Sequence, residues 1–151
     1  MSVVDTAMYV AHLLFAGLWA GSVVFVTFGV LPTALDGLAN ADPLVPVVSK
    51  LRWISRASAV VLFLSGGHMA GTGYTVESLT GSTRGHLVLG MVGLWFVLMG
   101  LVEVGGGKLA DGFENKKVRE PAREARPFFL VGSVVSVLLL VVGGLLAGGF
   151  A

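Results

Sequence analysis

The chain has 151 residues, of which 55% are hydrophobic and 13% charged, and its mean hydropathy is +0.88. That balance excludes a soluble globular domain, and the absence of cysteine excludes disulfides, thiolate zinc sites and iron–sulfur clusters. A net charge of +1 says nothing about partners until the charges are placed on loops.

Ala7 to Leu31 holds no charged residue and exceeds the ~20 residues a helix needs to cross a bilayer. Asp5 is placed to cap this helix and Pro32, followed by Asp36-Gly37, to end it, giving a first helix over about 5–31. It is too long for a signal-peptide core and lacks a basic flank, so it is expected to be retained. A connector from Thr33 to Lys50, with Pro43 and Pro46, leads to a second helix over about 51–74. Arg52 and Arg56, one turn apart, can reach the headgroups there, and Trp53 and Tyr74 read as interfacial anchors. A third helix spans about 84–104 and is closed by Gly105-Gly106-Gly107. The charged stretch Lys108 to Arg126 reads as a solvated loop or a surface helix broken at Pro121, and Pro127 opens a fourth helix over about 127–150. The expected fold is an all-α integral membrane protein, a four-transmembrane-helix antiparallel bundle forming one domain over 1–151.

Four crossings put both termini on one side. Of ten basic residues, Lys50, Arg52, Arg56, Lys108, Lys116, Lys117, Arg119, Arg123 and Arg126 fall on the other side, leaving Arg84 with the termini. The positive-inside rule then makes the long connectors cytoplasmic and both termini extracytoplasmic, in a multi-pass protein of the cell membrane. Nucleic acid is not an expected partner, because Asp111, Glu114, Glu120 and Glu124 are interleaved with the basic residues.

The segment Val60 to Gly71 aligns without gaps on Val137 to Gly148, and the first and third helices share His-Leu at His12 and His86 and Gly-Leu-Trp at Gly17 and Gly93. Two duplicated helical hairpins would explain both matches, and chance matches in apolar sequence are the competing explanation. The orientation concentrates the histidines: His12, His68 and His86 all belong to the outer half. An imidazole inside a membrane segment is a functional hypothesis by default, while hydrogen bonding to a neighbouring helix is the bland alternative. Neutral imidazole ligates both metal ions and haem iron. Nearby glycines, Gly66 and Gly67 among them, would let a flat macrocycle approach, although small residues also serve ordinary helix packing.

The His12 to Trp19 spacing with Ala20-Gly21 following, Arg52-Trp53-Ile54-Ser55-Arg56-Ala57 and Ser65-Gly66-Gly67 together resemble the CopD-like copper-resistance membrane family. The first-helix pattern is also similar to HemJ-like membrane proteins, which use a first-helix histidine in haem-associated protoporphyrinogen oxidation. Where those families tend to carry lysine in the third helix, this chain has Met91. Two readings lead. In the first, His12 with His86 or His68 ligates haem b, for electron transfer or membrane redox chemistry with a redox partner or quinone. The CopD-like resemblance implies the second, copper binding and translocation by His12, His68 and His86 with Met8 or Met69. The third is a cofactor-free accessory subunit, packed in a homo-oligomer or a larger membrane complex. Glu103 is expected to sit in the interface near Lys108.

Overall fold

In a computed structural model, which describes residues 2–149, the chain is helical throughout, with no strand among those residues. The elements are α1 (Val3–Phe25), a π-turn (Val26–Val30), α2 (Leu31–Leu35), α3 (Ala41–Gly73), α4 (Val76–Gly81), α5 (Thr83–Glu114) and α6 (Arg119–Ala147). Three stretches are long and apolar enough to cross a membrane: Val3–Leu35, Thr83–Glu114 and Arg119–Ala147. Their outward faces carry large apolar side chains such as Leu14, Phe25, Phe28 and Val134, each at least 60% exposed, so the chain belongs in a lipid bilayer. The apolar half of α3 is diluted by Ser55, Ser58, Ser65, His68 and several glycines.

α1 packs on α3 and α6, and α5 packs on the same two helices, so α1 and α5 stand on one diagonal. Core residues crowd the end of the bundle where the two long connectors lie: Trp19, Val23, Leu98, Val102, Leu109, Phe113 and Phe129 are all at most 1% exposed. Towards the terminal end, beyond Trp19, Ser65, Leu98 and Ser136, Gly85 alone is buried among the described residues. The histidines therefore occupy the less densely packed end.

The helices are longer than the sequence pattern indicates, and each discrepancy has a local cause. Pro32 does not end the first helical run. The chain widens into the π-turn just before it, and the proline occupies the opening of α2. α3 begins ten residues before Leu51, at Ala41, because Pro43 falls in its first turn, where backbone N–H groups lack intrahelical acceptors anyway. Pro46 and Pro127 are both accommodated inside helices.

Gly105, Gly106 and Gly107 do not close α5. A Cβ at Gly105 would press on Phe128 and Phe129, and one at Gly106 on the Arg52 stem, so these glycines serve close helix approach. α5 runs on to Glu114, held by Leu109 and Phe113 against Ala122 and Ala125 in the core cluster. It ends where Lys116 takes a left-handed conformation (φ 61°), with Lys117 N–H bonded to Gly112 O and Lys116 N–H to Phe113 O. The stretch Lys108 to Arg126 is thus a continuation of two helices around a tight turn. In that turn Glu120, 2.9 Å away, holds the Lys117 ammonium above its ordinary pKa.

Candidate functional site

The seam between α1 and α3 carries the polar residues of the terminal end. Its two helices run antiparallel, so that Asp5 meets His68 and His12 meets Ser65. On α1, Asp5, Met8 and His12 are spaced by three and four residues and share one face. On α3, Ser65 and His68 are one turn apart.

His12 is half-buried, with Nδ1 2.9 Å from Ser65 Oγ. Ser65 Oγ also lies 2.7 Å from the Val61 carbonyl, which can only accept. The serine proton therefore goes to Val61, and Ser65 receives the Nδ1–H of His12. This arrangement fixes the tautomer: Nε2 of His12 carries an uncommitted lone pair. Gly66 lies close against this ring: a Cβ there would come 3.1 Å from His12 Cε1, and the imidazole would have to give way by a few tenths of an ångström.

His68, also half-buried, donates Nε2–H to Asp5 Oδ1 at 3.0 Å. Asp5 is held in turn by Ser2, whose backbone N–H and hydroxyl lie 2.8 and 2.9 Å from Oδ2. In neutral His68, Nδ1 is the free nitrogen. Met8 on α1 and Met69, next to His68 on α3, are both half-buried at this level. The two imidazoles are thus tied across the seam in two separate pairs, His12 with Ser65 and His68 with Asp5, and Met8 and Met69 lie on the same stretches of the two helices.

His86 lies apart from this seam. It is exposed at the start of α5 and donates Nε2–H to the Thr80 carbonyl of α4 at 2.8 Å. Since α1 and α5 are diagonal, His12 and His86 are placed across the bundle, yet each ring is bonded on its own side. No three histidine or acidic side chains converge closely enough to hold a metal ion among the described residues.

At the connector end Glu103 does not pair with Lys108, which instead lies 3.5 Å from Glu124. Glu103 bridges α5 to α3, receiving Arg56 at 2.8 and 2.9 Å and Arg52 at 3.2 Å. All three residues lie within helices the sequence pattern indicates, and the clamp was not legible because the pairing depends on the register of α5 against α3. Trp19 Nε1, Ser58 Oγ and Ser55 Oγ, between the two ends, and Arg52 Nε, at the connector end, are buried without a protein partner. Comparison with family models, with curated proteins and with solved structures gave no match.

Proposed function

We propose that the chain is a four-crossing membrane protein that holds a single copper(I) ion in the outer half of the α1–α3 seam. His12 Nε2, His68 Nδ1 and the Met8 thioether are the ligands. The observation that carries this reading is the His12–Ser65–Val61 relay, which orients one imidazole and leaves its second nitrogen free, as an outer hydrogen bond does for a metal-ligating histidine. Imidazole and thioether suit copper(I), and Asp5 supplies a compensating negative charge. The resemblance of the His12–Trp19 and Ser65-Gly66-Gly67 segments to CopD-like proteins supports the same choice. Bound there, copper would supply one-electron chemistry, or be cargo handed inward. The chain's own part is to set the His12 tautomer and to keep the seam closed with Gly66.

A haem b centre with His12 and His86 as axial ligands is the second reading, favoured by the diagonal placement of α1 and α5. It requires His86 to leave Thr80. The accessory-subunit reading draws on Gly17, Gly21, Gly67 and Gly71, which face open space on α1 and α3 and could receive a partner helix. The concentration of lysine and arginine in the connectors supports an orientation with both termini outside and the seam near the outer face.

One preparation separates these readings: the detergent-purified protein is examined by absorption spectroscopy and then titrated with copper(I) against a chromogenic chelator. The copper reading expects no Soret band, one copper per chain, at least tenfold weaker binding in His12→Ala and His68→Ala, and no change in His86→Ala. A Soret band lost in His86→Ala would move the assignment to haem. Neither pigment nor stoichiometric copper would leave the accessory-subunit reading.

A further inference from the structure

The connector end of the α1–α3 seam holds a groove of about 350 Å³ lined by Ser22, Phe25 and Val26 of α1 and by Pro46, Val47, Lys50, Leu51 and Ile54 of α3. Two backbone irregularities meet there. The π-turn begins at Val26, and Pro46 is the proline inside α3, so neither helix offers its neighbour a regular ridge at this level. The walls are apolar except at two points. Ser22 Oγ is satisfied by its own helix, donating to Leu18 O at 2.7 Å, and is not free to recognise a ligand. Lys50 is exposed and, like Arg119, Arg123 and Arg126 of the same end, belongs to none of the ion pairs among the described residues; of these four only Lys50 lines the groove. An apolar slot with one unneutralised ammonium at its rim fits an amphiphile with a hydrocarbon tail and an anionic head.

We infer that this groove binds one anionic phospholipid of the connector-side leaflet, its acyl chain lying between Phe25, Val26 and Ile54 and its phosphate at Lys50. The bilayer supplies acyl chains to any lipid-facing groove, so the recognition resides in the charge. One lysine near a phosphate favours an anionic over a zwitterionic head by about fivefold. The site is independent of the histidine seam, at the opposite end of the same pair of helices.

Native mass spectrometry of the purified protein, equilibrated in micelles with equal phosphatidylglycerol and phosphatidylcholine, reads the preference directly. The wild type should retain phosphatidylglycerol about fivefold over phosphatidylcholine, and Lys50→Gln should bring the ratio to about one. Lys117→Gln, at the same end but paired with Glu120, should keep the preference. Val47→Trp, which fills the exposed wall of the groove, should reduce retention of both lipids. Equal retention by the wild type, loss of preference in Lys117→Gln comparable to that in Lys50→Gln, or undiminished lipid on Val47→Trp would each overturn the assignment.

Discussion

Ser65 is the residue on which the proposed ligand site turns, although it need not touch the metal. Its hydroxyl proton is directed to Val61 O and its lone pair to His12, so replacing it with alanine frees the His12 ring to rotate and to change tautomer. Ser65→Ala should weaken copper(I) binding ten- to a hundredfold while leaving the fold intact, and Ser65→Thr, which keeps the hydroxyl, should restore most of it. Chelator competition measures both. Equal affinity in wild type and alanine variant would show that His12 is not a ligand. The histidines themselves were legible in the sequence as a cluster at one end, because imidazoles are rare in apolar segments. Their partners were not. Ser65 and Asp5 become visible as partners only once the antiparallel register of α1 and α3 is known, and the acceptor that each of His12 and His86 finds on its own side of the bundle was likewise hidden until then.

At the scale of the helix, the positions of the long apolar segments followed from hydropathy, whereas their ends did not. Glycine and proline were read as terminators, yet Gly105 and Gly106 bring α5 close to Phe129 and Arg52, and Pro43 uses a position where no hydrogen bond is lost. Tertiary packing overrode local preference. The residue that does end α5 is Lys116, in a left-handed conformation that glycine adopts without steric cost. Lys116→Gly should therefore stabilise the protein by up to about 1 kcal/mol, partly offset by loss of the exposed Lys116–Asp42 pair. Thermal unfolding in detergent checks it. The Glu103 clamp between α3 and α5 acts in the opposite sense. Glu103→Gln removes a partner from two arginines that are 29% and 59% exposed, and should cost about 1–2 kcal/mol. Copper content in that variant should be unchanged, because the clamp sits at the far end from His12. Loss of copper there would mean that the site has been misplaced.

For the whole molecule, the fold class was readable from composition, since few arrangements other than packed helices satisfy the backbone of so apolar a chain. The orientation in the membrane rests on the distribution of lysine and arginine. The native chain contains no cysteine, so single cysteines can be introduced without background. Glu77→Cys, between α3 and α5, should react with an impermeant maleimide added outside intact cells. Leu38→Cys and Asn115→Cys, in the connectors, should react only after permeabilisation. The reverse pattern would turn the bundle over and put the histidine seam on the cytoplasmic side.

The ion pairs are distributed unevenly along the bundle axis. Those of Arg52, Arg56, Lys108, Lys116 and Lys117 gather at the connector end, while the terminal end has Asp5–His68 and the uncharged His12–Ser65 bond. Ionic strength consequently addresses the two ends separately. In 1 M salt, where the screening length falls to about 3 Å, the turn 115–118 and the helix ends beside it should exchange their amide protons faster. The His12–Ser65 contact, with no net charge to screen, should keep its protection.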